Sequence, residues 1–331
     1  MELDKIDKDL LNIIQSKFPL NERPYSLLAA KLGISPGEVI HRIERLKAAR
    51  IIRLIGPVLN PGRLGYRTTL VAAMISETDL DEANRIIVKN SMVSHCYQRD
   101  HDFNLWFTLA LPVTEDMDRE TRKLGNSIGA KKIISLPALK TFKIEALFGI
   151  AGTRLNPLPA PKTANATSQS SNETNLSNID RSVINALQDD LPLIEQPFDF
   201  ISDKLGMSTE ELLLYCQNLL QRGIMRRFSA AVNHSRLGFT ANAMTCWRVS
   251  QIEVDTAGKK IASFGEVSHC YERQINSVWP YNLFAMVHEH SRENCLAVID
   301  RISIESSVNN NERILLFSTK EVKKTRVKYK V

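Results

Sequence analysis

The chain is written twice, and that repetition limits what it can fold into more than any other property it has. Ile6-Asp7-Lys8 returns as Ile179-Asp180-Arg181, Phe18-Pro19-Leu20 as Leu191-Pro192-Leu193 and Lys31-Leu32-Gly33 as Lys204-Leu205-Gly206. Arg63-Leu64-Gly65-Tyr66 returns as Arg236-Leu237-Gly238-Phe239, and every one of these pairs lies 173 residues apart. Val93-Ser94-His95-Cys96-Tyr97-Gln98-Arg99 comes back as Val267-Ser268-His269-Cys270-Tyr271-Glu272-Arg273, 174 residues on. Asn104-Leu105 comes back as Asn282-Leu283, 178 residues on, so the second copy carries four extra residues around Gln274 to Trp279. A constant offset of this kind means one folding unit used twice.

Each copy divides in the same way. From Asp4 to about Arg53 the apolar period is helical, with Ile6, Leu10, Leu11 and Ile14 as one stripe. Leu27 to Ser35 has the form of a helix-turn-helix, with Gly33 at the turn, Ser35 as helix cap and Pro36 in the first turn. Arg53 to Pro57 reads as a short strand, a wing. Beyond it the period changes. Strands are expected at Thr68 to Ile75, Met92 to Gln98, Leu105 to Leu111 and Lys131 to Ile144, with helices at Leu80 to Lys89 and Asp116 to Ile128. That order is βαββαβ, the ferredoxin-like split βαβ. The second copy repeats it from Ala241 to Tyr329.

The fold class expected is therefore α+β: a tandem duplication in which each half is a winged helix-turn-helix followed by a ferredoxin-like domain. The boundaries are a helix-turn-helix at 1–60, a ferredoxin-like domain at 61–155, a linker at 156–178, a second helix-turn-helix at 179–233 and a second ferredoxin-like domain at 234–331. The stretch 156–178 is rich in Pro, Ala, Ser, Thr and Asn, which is linker composition.

Composition narrows the setting. Among 331 residues, 43% are apolar and 24% charged, the profile of a soluble globular protein. No run approaches the roughly 18 apolar residues of a membrane span, and Met1 to Asp7 lacks a cationic flank and apolar core, so no signal peptide is read. Five cysteines with no CxxC pair make neither a disulfide framework nor a zinc site, and a reducing cytoplasm fits. The net charge of +6 invites an anionic partner, nucleic acid or a small polyanion. The basic run Lys320 to Lys330 reads first as a solvated strand or tail.

Nucleic acid is the poorer fit. The first recognition helix offers His41, Arg42 and Arg45, but the second offers Glu210, Glu211 and the run Leu212 to Leu214. A palindromic operator needs two readers, and acids repel phosphate. The doubled His-Cys-Tyr-x-Arg segment points instead to side chains held for a ligand. Cys96 and Cys270, between His and Tyr, point to the opposite face of their strands and are expected in the core.

A helix-turn-helix followed by βαββαβ, with Arg-Leu-Gly-Tyr between, resembles the Lrp/AsnC family of amino-acid-responsive regulators. Within that superfamily the chain is similar to the siroheme decarboxylases, which are built from two paralogous subunits. The first half resembles the NirD or AhbB kind through Tyr97-x-Arg99-x-His101-Asp102-Phe103-Asn104-Leu105-Trp106-Phe107. The second resembles the NirL or AhbA kind through Trp279-Pro280-Tyr281-Asn282-Leu283-Phe284-Ala285-Met286-Val287-His288. The whole looks like a fused NirDL-type arrangement.

The resemblance implies removal of two acetate carboxyl groups from siroheme, giving 12,18-didecarboxysiroheme for haem d1 or alternative haem biosynthesis, with the two halves paired around the substrate. It implies no cofactor beyond the substrate's own iron. Arginine suits the carboxylates, since its fork bonds them two-handed; Arg99, Arg273, Arg53, Arg226 and Arg227 are the candidates. Histidine suits proton delivery near neutral pH. His95 and His101 are the expected catalytic pair with Arg99, either histidine being a potential iron ligand. Tyr97, Asn104, Trp106, His269, Tyr271, Trp279 and His288 complete the expected substrate contacts, while His290 is expected at the surface. A regulator that senses a tetrapyrrole or amino acid, and a carrier without turnover, are the alternatives. Further pairing into a homodimer is left open.

Overall fold

The computed structural model describes residues 2–144, 150 and 176–331. The linker expected at 156–178 lies outside these residues up to 175, as does the end of the first ferredoxin-like domain at 145–155 apart from Ile150.

The helical part of the first copy is α1 (Lys5–Ser16), α2 (Pro24–Leu32) and α3 (Pro36–Ala48). Its second-copy counterpart is α6 (Asn178–Leu187), α7 (Asp199–Leu205) and α8 (Thr209–Gln221). Both first helices begin with a reciprocal capping box, Asp4 with Asp7 and Ser177 with Asp180, each cap being worth about 1 kcal/mol. Gly33 and Gly206 close α2 and α7 in the left-handed conformation, with φ of 69° and 65°. A side chain there would be strained.

The expected wing is longer than its sequence signal and pairs across the copies. Strand β1 (Ile52–Leu59) lies antiparallel to β6 (Met225–Val232), its own counterpart from the other copy. The two helix-turn-helix units share one apolar core as a result, in which Phe18, Tyr25, Phe198 and Phe228 are buried. The Phe18 N–H donates to Phe228 O at 2.8 Å, so the union is bonded as well as packed.

The remaining strands are β2 (Tyr66–Met74), β3 (Val93–Arg99), β4 (Leu105–Pro112) and β5 (Lys132–Ile144) in the first copy. The second supplies β7 (Ala241–Trp247), β8 (Val267–Arg273), β9 (Leu283–Glu289) and β10 (Arg313–Lys324). Within each copy the order is the expected ferredoxin-like one, β3-β4-β2-β5 and β8-β9-β7-β10. The edges then join across copies: β5 pairs with β8 and β10 with β3, closing an eight-stranded barrel. Closure leaves these strands no free edge. Helices α4 (Leu80–Lys89) and α5 (Met117–Ser127) cover the outside of one sheet, and α9 (Val254–Ala262) and α10 (Arg292–Glu305) the other. Cys96 and Cys270 face these helices, as their alternation with His and Tyr requires. β10 ends at Lys324, short of the expected Tyr329, and Thr325 to Val331 leave as an extended tail.

The copies differ where α9 packs. A Cβ at Gly258 would collide with the Phe142 ring of β5, whereas Asn84 of α4 and Val322 of β10 hold the equivalent places on the other sheet. Gly258→Ala is therefore expected to cost about 1–3 kcal/mol of overpacking, read as a thermal midpoint several degrees below the wild type's; an unchanged midpoint would show that Phe142 can move aside.

Candidate functional site

Strand alternation decides what the barrel encloses. On β3, His95, Tyr97 and Arg99 face inward; on β8, directly across the barrel, His269, Tyr271 and Arg273 do the same. At one end the interior is plugged with apolar side chains, among them Trp106, Trp279, Phe284, Leu136 and Leu316. Above that plug lies a cavity of about 1800 Å³, roofed by β1 residues and by the tail from Thr325 to Tyr329. Its volume exceeds the roughly 300–1,000 Å³ usual for a drug-sized ligand, so it suits a large flat one.

Arg99 and Arg273 form the floor of this cavity. Arg99 donates from Nη1 to Leu316 O at 2.6 Å and Arg273 from Nη1 to Leu136 O at 2.8 Å. In each the buried Nε has no partner, and neither guanidinium pairs with a carboxylate among the described residues. Burial pulls both down to about 10, so they stay charged at neutral pH. A buried cation, Arg99, and a half-buried one, Arg273, without carboxylate partners are costly. They create a demand for anionic groups inside the barrel.

The histidines gather above them. His95 Nδ1 lies 2.9 Å from Ser94 Oγ, and His269 Nδ1 lies 2.9 Å from Ser268 Oγ. His288 joins from β9, its Nε2 2.9 Å from the same Ser268 Oγ. His234, in the turn at His234–Leu237, meets His288 edge-on at 4.8 Å, and Lys324 Nζ donates to His234 Nδ1 at 2.9 Å. Burial holds His95, His234 and His269 near about 3, with Lys324 as a second cause, and His288 falls well below the usual imidazole range for the same reason. All four are neutral at pH 7 without a bound ligand. Burial also lowers Lys324 to about 8 and raises the hydroxyls of Tyr97 and Tyr271, which remain protonated donors.

The cavity thus collects His95, Tyr97, Arg99, Trp106, Arg226, His269, Tyr271, Arg273 and His288. Trp106 belongs to the floor, its indole N–H donating to Phe103 O at 2.6 Å; Arg226 is exposed at the mouth, 3.4 Å from Asn60 Oδ1. Five expected residues, His101, Trp279, Asn104, Arg53 and Arg227, lie elsewhere. His101 sits in the β3–β4 turn at the plugged end, where Nδ1 accepts from Phe103 N and the ring meets Trp279 edge-on at 5.6 Å. His101 and Trp279 hold equivalent places in the two copies, and their contact seals the barrel. Asn104 uses its amide to clamp both backbone groups of Ile75, as Asn282 clamps Val249. Arg53 bonds Glu321 and the Lys324 carbonyl, tying β1 to β10. Arg227, the remaining candidate, contacts Ser229 Oγ at 3.3 Å, and His290 is exposed as expected.

Sequence reasoning missed His234 and Lys324. Lys324 and Arg326, in the run read as a solvated tail, are half-buried instead, Arg326 donating to the carbonyls of Pro57 and Ser229. A usable signal was present in the repeat. His234, His288 and Lys324 stand where the first copy has Pro61, Ala110 and Ile144.

The helix-turn-helix cations face other duties. Arg42 bonds Asp4, Asp7 and Glu38, Arg45 bonds Asp7, and Arg222 bonds Asp180. Guanidiniums engaged by internal carboxylates are weak readers of DNA phosphate. Among the described residues no helix is long and apolar enough to cross a membrane, and no three His, Cys, Asp or Glu are arranged to hold a metal ion.

Comparison with known proteins bears on the same features. An AsnC-like ligand binding domain profile matches residues 63–143 and 236–323. A siroheme decarboxylase NirDL-like HTH domain profile matches residues 7–53 and 180–226. The chain is 36% identical over 329 residues to the siroheme decarboxylase of Hydrogenobacter thermophilus, covering 99% of this chain and 95% of that one. It is 40% identical over 149 residues to the siroheme decarboxylase beta subunit of Methanosarcina barkeri, covering 45% of this chain and 97% of the subunit. It also superposes on the crystal structure of the siroheme decarboxylase NirDL in co-complex with an iron-uroporphyrin III analogue, with a TM-score of 0.70 and 33% identity, covering 99% of this chain and 95% of that chain.

Proposed function

The chain belongs to the siroheme decarboxylase family, as a fused NirDL-type enzyme, and on that premise we propose that the barrel cavity binds siroheme and converts it to 12,18-didecarboxysiroheme for haem d1 or alternative haem synthesis. The observation that carries this reading is the pair Arg99 and Arg273, facing inward from opposite strands without carboxylate partners. Siroheme is a flat macrocycle edged with carboxylates. Its carboxylates supply the missing counter-ions, and each buried guanidinium gives a two-handed, oriented bond.

The residues then divide the work. Arg99 and Arg273 anchor carboxylates at the floor; Tyr97 and Tyr271 donate hydrogen bonds beside them. When an acetate arm loses CO₂, the electrons of the broken C–C bond enter the conjugated ring, and the methylene carbon takes a proton to become methyl. His95 and His269 deliver it. They are neutral without substrate, and the negative charge of the bound macrocycle raises their proton affinity, so the substrate loads its own acid. Each step consumes one proton, releases one CO₂ and moves no electrons to an acceptor. No cofactor is required beyond the iron that siroheme brings. His101 has no part in this scheme, since it seals the far end of the barrel.

The test is anaerobic incubation of the purified chain with siroheme and mass analysis of the tetrapyrrole. Loss of two carboxyl groups is the expected result. Siroheme recovered unchanged but bound would make the chain a carrier and end the decarboxylase reading.

A further inference from the structure

Ser268 bonds two histidines at once, His269 through Nδ1 and His288 through Nε2, each at 2.9 Å. The His288 ring stands edge-on to His234 with centroids 4.8 Å apart, and His234 Nδ1 accepts from the half-buried Lys324 ammonium at 2.9 Å. Proton-exchanging groups therefore follow one another beside the cavity from Lys324 to His269, with His234 and His288 in ring contact and the other neighbours hydrogen-bonded. The other wall has no such line. Ser94 bonds His95 in the same way and Lys324 lies opposite His95 in the β10–β3 ladder, but Ala110 and Pro61 replace His288 and His234, so no further histidine connects to Ser94 there.

We propose that Lys324, His234, His288 and Ser268 form a proton-delivery path that refills His269 after each proton it gives to substrate. The proposal rests on the decarboxylase reading and assigns these four residues a part in it; they act through His269. The balance of a step is simple. The bond to the carboxyl carbon breaks, CO₂ leaves, and the methylene carbon takes the His269 proton. Ser268 then passes a proton to His269 as it receives one from His288, which is replenished through His234 from Lys324, and water reprotonates Lys324. No oxidant or reductant enters.

The surroundings of Lys324 support the role. It faces Glu321 on its own strand, Arg53 from β1, His95 from β3, His269 from β8, His288 from β9 and His234 from the turn after β6. Burial outweighs the Glu321 carboxylate there, and the ammonium is held close to its titration point at about 8. A lysine so placed carries a proton at neutral pH and releases it with little cost.

The test measures kcat and siroheme Kd from pH 5.5 to 9 for wild type, Ser268→Ala, Ser94→Ala, Lys324→Met and Lys324→Arg, with thermal midpoints as a fold control. Ser268→Ala and Lys324→Met are expected to lower kcat about 10²-fold, the scale of one general acid-base contribution, with Kd within about threefold. Wild-type kcat falls above about pH 8, and Lys324→Met lacks that limb. Lys324→Arg keeps the charge but holds its proton, so it stays as slow as Lys324→Met, and Ser94→Ala costs several-fold less than Ser268→Ala. Full rescue by Lys324→Arg would reduce the residue to a fixed charge and overturn the path. Equal losses in the two serine variants would overturn it too, as would a Lys324→Met that changes Kd alone. A wild type that leaves siroheme unchanged would defeat the decarboxylase reading itself, and the path with it.

Discussion

Replacing Arg99 and Arg273 by Met, singly and together, is expected to weaken siroheme binding while leaving the empty protein no less stable. Each guanidinium is buried, charged and unpaired by any carboxylate among the described residues. Removing one leaves a substrate carboxylate buried without its partner, which costs about 2–5 kcal/mol, or roughly 30-fold to several thousand-fold in Kd. In the empty chain the same substitution removes an uncompensated buried charge, a relief that offsets the lost bonds to Leu316 O and Leu136 O. The two signs oppose each other, which makes the pair of measurements demanding. Titration followed by the tetrapyrrole absorption band gives Kd, and thermal unfolding without ligand gives stability. A variant that binds siroheme normally but melts far below wild type would make both arginines framework residues.

The empty enzyme is expected to be acid-labile below the ordinary histidine range. In the unfolded chain His95, His234, His269 and His288 titrate near about 6.5, whereas the fold holds the first three at about 3 and the fourth well below the ordinary value. Between those limits the unfolded state binds more protons, so stability falls as pH falls from about 6.5 toward 3. Each histidine accounts for up to about 2 kcal/mol between pH 6.5 and 5. Denaturant titrations across this range read the slope directly. Bound siroheme is expected to flatten it, because its carboxylates favour the protonated rings. A stability of the empty chain that stays level from pH 6.5 to 5 would mean that these rings are already charged or wet, and the substrate-loaded acid would lose its basis.

Much of the fold was legible because two copies could be read against each other. The strand and helix limits expected from Thr68 to Ile144 differ from those found by a residue or two, since periods of 2 and 3.6 survive in both copies. The partner of β1 was not legible. A strand's period shows which face is buried but not which distant strand it meets, and β1 meets β6 from the other copy. The same limit hid the closure through β5–β8 and β10–β3, and with it the burial of Lys324.

The site shows a second limit. His95, Arg99, His269 and Arg273 were reachable by strand alternation, which puts every second residue of β3 and β8 into the barrel. His101 and Asn104 followed them in sequence but not in space, because the turn carries His101 to the plugged end and Asn104 to a backbone clamp. His234 and Lys324 are marked only by divergence between the copies, at positions where the other half has Pro61 and Ile144. Two halves that fold alike can differ in the ionisable groups set around equivalent histidines.

The most direct test of this account is a crystal structure of the chain with siroheme bound anaerobically. The account predicts the macrocycle inside the barrel, carboxylates within hydrogen-bonding distance of Arg99 and Arg273, and the His95 and His269 rings beside it. Siroheme found against the helix-turn-helix layer or on the outer face of the barrel, with Arg99 and Arg273 still unpartnered, would contradict it.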